Sequence, residues 1–173
     1  MRKIIDGITG DDLKARRDRA IIEALFSTGL RVSELVSLKR PALCGDPTKT
    51  LELTIIGKGN WQRVVYFSPT TIKAVLRYFA GRKDDDERAF HCGVRMVQKI
   101  IRQRAKDAGM EGIHVHTLRH SFACHLLKKG ANIFYVQNFL GHRSLSSTSV
   151  YLHATDRDLR ELHEKIYASP KDK

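Results

Sequence analysis

The sequence predicts a mainly helical protein with one small antiparallel β-sheet, a β-hairpin. Apolar residues recur at spacings of three and four over most of the chain, which is the period of an amphipathic helix. Two stretches rich in β-branched residues, "TLELTII" and "QRVVYF", flank the glycine-rich "GKGN", a pattern typical of a hairpin. Glycines stand where the helical patterns stop, at Gly29, Gly81, Gly109, Gly130 and Gly141.

In the first half of the chain, residues typical of helix ends and turns predict where each element begins and stops. Thr9 and Asp12 resemble a capping box, so we expect the first helix to begin there and to end at Gly29. A short second helix begins near Arg31, which places this arginine at a helix N-terminus. The hairpin comes next, and Lys58 lies at its tip.

Four further helices are predicted after the hairpin. Ser68, a good N-cap residue before a proline, starts the first of them, and the stretch "RKDDDER" that follows this helix is typical of a solvated loop. The next two helices end near glycines, and Asn132 caps the last of the four. Beyond them we expect a segment that carries Tyr151 and a final amphipathic helix.

Charge and cysteine content limit the class of protein. Among 173 residues, 31 are Lys or Arg and 19 are Asp or Glu, and the formal charge of +12 favours a polyanionic partner, nucleic acid first. The three cysteines lie far apart without a CxxC pair, which argues against a disulfide framework and for a reducing compartment. No apolar run approaches the length of a membrane span. We therefore expect a cytoplasmic protein that has no membrane partner.

Three histidines and an arginine lie within "HVHTLRH", at the predicted start of a helix. His116 and His120 are four residues apart and would share a helix face, as zinc ligands can. Arg119 would place a fixed positive charge beside such a cation, and no carboxylate stands near to orient the imidazoles. A helix N-terminus, a guanidinium and imidazoles together suit a phosphate instead. A zinc-dependent hydrolase and a purely structural role, which fits His120 well, are the alternatives; we expect no metal ion and no cofactor.

A phosphodiester has two free oxygens and is best held by two guanidinium groups, and Arg31 is the natural partner of the first. Glu34 follows it by three residues, a spacing at which its carboxylate can orient the guanidinium. Phosphoryl transfer also needs a nucleophile and an acid for the leaving oxygen. Tyr151 is the candidate nucleophile and Lys58 the candidate acid, although taken singly they also fit a helix-surface tyrosine and an exposed turn lysine.

Four stretches, in this order, resemble the catalytic domain of tyrosine recombinases, the phage-integrase and Xer-type family: "TGLRVSEL", "GKG" before "RVVYF", "HTLRHSFA" and "LGHRSLSSTSVYLH". The resemblance covers essentially the whole chain. It implies that Arg31 and Arg119 grip the scissile phosphate of DNA. It also implies that Tyr151 attacks this phosphate, giving a 3′-phosphotyrosine bond and a free 5′-hydroxyl.

The same resemblance implies roles for the other residues of these motifs. His116 and His142 would hydrogen-bond the phosphate oxygens and assist proton movement, while Lys58 acts as the general acid. Glu34 and His120 would support these groups. Two further arginines that lie within the motifs are candidates for DNA contacts, Arg63 and Arg143.

Domain organisation and partners follow from the resemblance as well. We expect residues 1–173 to form one catalytic domain, without the N-terminal core-binding domain of the family. The expected partners are double-stranded DNA and other recombinase subunits, with a monomer or weak assembly in solution and a tetramer on paired sites. Because the covalent linkage conserves the energy of the broken bond, strand exchange needs neither ATP nor metal. The alternative functions are DNA relaxation of the type IB topoisomerase kind and a noncatalytic DNA-binding module.

Overall fold

The computed structural model of the protein describes residues 2–57 and 62–141. Within these ranges the chain forms α-helices and one two-stranded antiparallel sheet, so the predicted fold class is confirmed. The elements in chain order are α1 (Arg2–Asp6), α2 (Leu13–Thr28), α3 (Val32–Ser37), a 3₁₀ turn (Pro41–Leu43), β1 (Leu51–Ile56), β2 (Gln62–Phe67), α4 (Pro69–Ala80), α5 (Val94–Asp107), α6 (Val115–Lys128) and α7 (Ile133–Leu140).

The start of α2 differs from the prediction. Asp12 is the N-cap residue, and its carboxylate accepts a 2.7 Å hydrogen bond from the backbone N–H of Ala15. Thr9 lies in a preceding turn, where its own N–H donates to the Gly7 carbonyl. The prediction of a capping box that begins at Thr9 is therefore wrong, because the helix starts after Asp12, whose carboxylate satisfies a free amide of the first turn.

Two other predicted helix starts are confirmed, whereas the predicted final amphipathic helix lies outside the described residues. Ser68 Oγ accepts a hydrogen bond of 3.2 Å from the N–H of Thr71 at the start of α4. Asn132 caps α7 by accepting from the N–H of Phe134 at 2.9 Å. Short polar side chains thus satisfy the first free amides of both helices.

The β-hairpin has a fixed register. Leu51 pairs with Phe67 at the open end, and Ile56 pairs with Gln62 next to the connection. Residues at alternate positions of β2 face the core, where Val65 and Phe67 are fully buried. Residues 57–61 connect the strands, and Lys58, which belongs to this connection, lies outside the described residues.

The core forms around α2, which contacts α4, α6, β2, α3 and α5. Its fully buried residues Ile21, Ile22 and Leu25 belong to the main hydrophobic cluster. A second, smaller cluster lies between α6 and α7 and consists of Phe122, Ala123, Val136 and Leu140. The smaller cluster lies against the end of α2, because a Cβ atom added to Gly29 would lie 2.5 Å from a ring carbon of Phe122.

The stretch "RKDDDER" forms a loop, as predicted, but its first residue is not solvated. The side chain of Arg82 is 1% exposed and forms an ion pair with Asp84. Its Nη1 also donates to the carbonyls of Arg88 at 2.6 Å and Ala89 at 3.1 Å. The loop therefore folds around a buried guanidinium, because backbone carbonyls supply acceptors that a solvated loop would leave to water.

All three cysteines are free thiols, as the absence of a CxxC pair predicts. In residues 2–57 and 62–141, no helix combines the length and apolar character that a membrane crossing requires.

Candidate active site

Arg31 and Glu34 are brought into contact by the start of α3. Arg31 precedes the helix in an extended conformation, and its backbone N–H donates to Glu34 Oε2 at 2.7 Å. The Arg31 guanidinium also reaches Glu34, with 3.3 Å between Nη1 and Oε1. The predicted contact is thus present. Glu34 is buried, whereas the side chain of Arg31 is 36% exposed, so the glutamate anchors a guanidinium that faces the surface.

Arg63 forms a second and closer ion pair with the same carboxylate. Its Nη1 and Nη2 donate to the two oxygens of Glu34 at 2.9 and 2.7 Å, and its Nε donates to the Phe139 carbonyl at 3.0 Å. The Arg63 side chain is 8% exposed. The structure therefore does not support the predicted DNA contact of Arg63, because its charge is paired with the buried carboxylate of Glu34 and three of its five N–H donors are in use.

The pattern of β2 contains a signal for this inward position. Arg63 is two residues from Val65 and four from Phe67, and alternate residues of a strand share a face. Both apolar residues are fully buried. A charged side chain on the core face of a strand needs a charged partner, so the strand pattern predicts an ion pair for Arg63.

The electrostatic state of Glu34 follows from its two partners. Burial alone would raise the pKa of this carboxyl, but the hydrogen bonds from the Arg63 side chain and the Arg31 backbone outweigh it and leave the pKa below its ordinary value. Glu34 is therefore ionised at neutral pH. Because one carboxylate lies between two guanidinium groups, the three side chains keep a net positive charge.

Arg119 lies in α6 and joins two helix ends. Its Nη1 donates to the carbonyl of Gly29 at 2.6 Å, and its Nη2 donates to the carbonyl of Leu140. Gly29 is the C-cap of α2 and Leu140 is the last residue of α7, and carbonyls at helix C-termini lack partners within their own helices. Arg119 is 7% exposed, so these two acceptors fix the plane of a buried guanidinium.

These contacts close into a ring, which we call the arginine ring. Its members are the side chains of Arg31, Glu34, Arg63 and Arg119 and the carbonyls of Gly29, Phe139 and Leu140. The backbone from Gly29 to Arg31 completes it. The ring thus connects the segment before α3, the hairpin, α6 and the end of α7, which are far apart in the sequence.

The two predicted site histidines, His116 and His120, belong to α6, the helix that carries Arg119. His116 is exposed and precedes Arg119 by one helical turn, a spacing that places both on one side of α6. His120 is also exposed, and its Nε2 lies 3.5 Å from Cys124 Sγ in the same helix. Its position is on the surface rather than in the core. Within the described residues, no three His, Cys, Asp or Glu side chains form a group suited to a metal ion.

Four other predicted site residues lie outside the described residues: Lys58, His142, Arg143 and Tyr151. Their predicted roles stay predictions.

The exposed side of α5 carries a basic face that was not predicted from the sequence. It consists of Arg95, Lys99, Arg102 and Lys106, which are all exposed. The spacing of four, three and four residues places these cations along one side of the helix. The same spacing rule that identified the apolar faces would have found this face if it had been applied to charge.

The fold and the sequence match a known family. The profile of the Phage integrase family matches residues 1–158, and the chain belongs to this family. The resemblance that the four sequence motifs carry is thereby confirmed.

Among its relatives, the tyrosine recombinase XerC of Staphylococcus saprophyticus is 36% identical over an alignment that covers 100% of this chain and 60% of XerC. A crystal structure of XerA recombinase is similar with a TM-score of 0.78 and 28% identity, over 99% of this chain and 63% of that one. XerH recombinase, solved with a palindromic difH substrate as a post-cleavage complex, gives a TM-score of 0.77 and 25% identity over 94% of this chain and 50% of that one. The chain thus spans 50–63% of the length of these recombinases.

Proposed function

We propose that this chain is the catalytic domain of a site-specific DNA recombinase, which cleaves and rejoins strands through Tyr151. The observation that carries the proposal is the arginine ring. It holds the Arg119 guanidinium against Gly29, two residues before Arg31. Similarity to XerC and to a XerH structure solved with a DNA substrate supports the choice of DNA as the substrate.

The ring has the properties of a preorganised phosphate clamp. Arg31 is partly exposed and carries a positive charge that Glu34, already paired with Arg63, does not neutralise. Arg119 is held rigidly by two carbonyls. Groups fixed in this way stabilise the charge of a pentavalent phosphorane without reorganising during the reaction, which is the main source of electrostatic catalysis.

In the proposed reaction, the residues identified by the family resemblance account for each bond and each proton. The hydroxyl oxygen of Tyr151 attacks phosphorus, a tyrosine–phosphorus bond forms, and the bond from phosphorus to the 5′-oxygen breaks. The proton of the attacking hydroxyl passes to His116 or His142, and Lys58 gives a proton to the leaving oxygen. Attack of the 5′-hydroxyl on the phosphotyrosine reverses these steps. Because a phosphodiester is present throughout, neither ATP nor a metal ion is required.

The basic face of α5 supports an extended DNA contact. Arg95, Lys99, Arg102 and Lys106 form a row of cations along more than two turns of the helix. Rows of this kind bind the phosphate backbone and release counterions. We infer that this face lies along the duplex, and that it takes the DNA-binding role that Arg63 does not support.

Assembly with further subunits is part of the proposal. Strand exchange between two duplexes needs a nucleophile at each of four strands, so we infer a tetramer on paired sites and a monomer or weak assembly without DNA. The similar XerC proteins are bacterial, and we place the reaction on nucleoid DNA in the cytoplasm.

A covalent adduct tests the proposed function. The chain is incubated with negatively supercoiled plasmid in the presence of EDTA, the DNA is digested with nuclease, and the peptides are analysed by mass spectrometry. We expect a nucleotide attached to the peptide that contains Tyr151, and no adduct with Tyr151→Phe, whose DNA binding stays nearly intact. An adduct in Tyr151→Phe, or a wild-type adduct that EDTA abolishes, would contradict the mechanism.

A further inference from the structure

We propose that Arg63 is a positioning residue, which occupies the carboxylate of Glu34 and so keeps the Arg31 guanidinium available to the scissile phosphate. The inference deepens the proposed function and rests on it. Arg63 acts through Glu34 and Arg31 and does not itself touch DNA.

The two guanidinium groups compete for one carboxylate. Both oxygens of Glu34 accept from Arg63, at 2.9 and 2.7 Å, whereas the Arg31 guanidinium has one longer contact of 3.3 Å. Parallel pairing of a guanidinium with both carboxylate oxygens is the preferred geometry. If Arg63 were absent, Glu34 could adopt that geometry with Arg31, which is three residues away at the start of the same helix. Arg31 would then be neutralised where the phosphate binds.

The position of Arg63 is fixed by contacts beyond Glu34. Its Nε donates to the Phe139 carbonyl at 3.0 Å, and a Cβ atom added to Gly141 would lie 3.1 Å from its Cδ. The rings of Tyr66 and Phe139 also meet edge-on, with 5.8 Å between their centroids. The side chain of Arg63 is therefore held against the end of α7 by its hydrogen bond to Phe139 and its contact with Gly141.

A lysine could not replace this arginine. An ammonium group offers a point charge, whereas the guanidinium uses three donors in one plane, two for Glu34 and one for Phe139. Arg63→Lys therefore keeps the charge of the buried pair but loses the geometry that holds both oxygens.

The chain offers a matched control for a structural ion pair. Arg104 pairs with Asp18 at 2.8 Å, and their side chains are 19% and 2% exposed, similar to the pair of Arg63 and Glu34. Asp18 lies in α2, 11 residues before Gly29, which corresponds to about 16 Å along the helix. Arg104→Gln thus removes a buried cross-element ion pair at a distance from the arginine ring.

The experiment compares five proteins: the wild type, Arg63→Gln, Arg63→Lys, Arg63→Gln with Glu34→Gln, and Arg104→Gln. For each, we measure the rate of adduct formation per folded molecule, the melting temperature, and the rate at which phenylglyoxal modifies Arg31, followed by mass spectrometry. The last measurement reports the availability of the Arg31 guanidinium and does not depend on catalysis.

We expect Arg63→Gln to slow cleavage about tenfold to 100-fold, as displacement of a catalytic group does, and to slow the modification of Arg31. Adding Glu34→Gln restores most of both rates, because the competing charge is gone. Arg63→Lys keeps the positive charge but cleaves slowly, because an ammonium group does not hold both oxygens of Glu34. Arg104→Gln lowers the melting temperature and leaves both rates per folded molecule unchanged.

Two results would overturn the positioning role. One is a wild-type rate of Arg31 modification in Arg63→Gln, and the other is a double variant that is as slow as Arg63→Gln in both measurements. If the wild type forms no adduct, the proposed function fails. In that case, the rate at which phenylglyoxal modifies Arg31 still shows whether Arg63 keeps Arg31 apart from Glu34.

Discussion

The guanidinium of Arg119 donates a 2.6 Å hydrogen bond to the carbonyl of Gly29, a residue 90 positions earlier in the chain. Gly29 has a backbone φ of +63°, and a Cβ atom there would lie 2.5 Å from the ring of Phe122. The end of α2 can therefore approach α6 closely because position 29 has no side chain. This close approach brings the segment that carries Arg31 to Arg119.

Replacing Gly29 by alanine is expected to disrupt this approach. The left-handed conformation costs a residue with a side chain about 1–2 kcal/mol, and overpacking against Phe122 costs about 1–3 kcal/mol more. Gly29→Ala should lower the free energy of unfolding by about 3 kcal/mol, measured in urea. Gly109→Ala is the matched control, since its φ of +67° is similar but no atom lies within 4 Å of the added Cβ. Equal losses in both variants would mean that contact with Phe122 does not matter.

Alanine substitutions of the two proposed clamp arginines should have similar effects on the rate of cleavage but different effects on the free energy of unfolding. Arg31→Ala and Arg119→Ala should each slow adduct formation by about 100-fold or more, as expected when a preorganised charge contact is lost. Arg119→Ala should also destabilise the fold by about 1–3 kcal/mol, because the buried carbonyls of Gly29 and Leu140 lose their donor. Arg31 is 36% exposed, and its removal should cost little stability. Normal cleavage in either variant would remove that arginine from the clamp.

Local rules predicted much of the fold and one contact of the site. The caps at Ser68 and Asn132 and the hairpin depend on neighbours within a few residues, which the sequence displays directly. The contact of Arg31 with Glu34 was predictable for the same reason, because both residues belong to one helix start. The short α1 was not predicted. Its buried Ile4 and Ile5 gain their stabilisation from the core rather than from a helical repeat.

The rest of the arginine ring depends on tertiary contacts, which spacing rules do not reach. Arg63 is separated from Glu34 by 29 residues and from Phe139 by 76. At the sequence level, a basic residue in a motif of a DNA-binding family is a candidate for a phosphate contact. Arg63 instead lies on the core face of β2, where its guanidinium pairs with the buried carboxylate of Glu34 rather than with a phosphate.

Lys58 should be required for leaving-group protonation. The register of the hairpin ends at Ile56 and Gln62, so Lys58 belongs to the short connection between the strands. Lys58→Ala should impair cleavage of an ordinary phosphodiester but cleave a bridging 5′-phosphorothiolate well, because sulfur leaves without a proton. The measurement is the ratio of the two cleavage rates for wild type and variant. If the variant cuts the sulfur substrate no faster than the oxygen substrate, another group is the acid.

The basic face of α5 should account for part of the salt dependence of DNA binding. Each phosphate contact contributes a slope of about 0.9 to a plot of log Kobs against log salt concentration. Replacing Arg95, Lys99, Arg102 and Lys106 together by glutamine should reduce the slope by up to about 3.6, measured by fluorescence anisotropy between low and moderate salt. The control is Lys73→Gln, a substitution of an exposed lysine on α4. An unchanged slope in the fourfold variant would place the duplex on another face.

The pH dependence of stability should reveal the charge of Glu34. Its pKa in the folded protein lies below the ordinary value, because hydrogen bonds from Arg63 and the Arg31 backbone outweigh the burial that would raise it. A group of this kind stabilises the fold above its unfolded pKa, and the stabilisation is lost as the pH falls through the folded pKa. At pH 7, Glu34→Gln should therefore lower the free energy of unfolding by about 3 kcal/mol, as expected when a buried ion pair loses one partner.

The difference between the wild type and Glu34→Gln should shrink as the pH falls below the ordinary glutamate pKa of about 4.3, where the unfolded chain takes up the proton, and should be lost as the pH falls through the lower pKa of the folded protein. Urea unfolding at several pH values measures this difference, and subtraction cancels the titration of the other carboxyl groups. Glu52→Gln, an exposed substitution on β1, should change the stability by less than about 0.5 kcal/mol at every pH. A difference for Glu34→Gln that stays constant from neutral to acidic pH would show that Glu34 is not stabilised as a carboxylate. The competition between Arg31 and Arg63 for its negative charge would then have no basis.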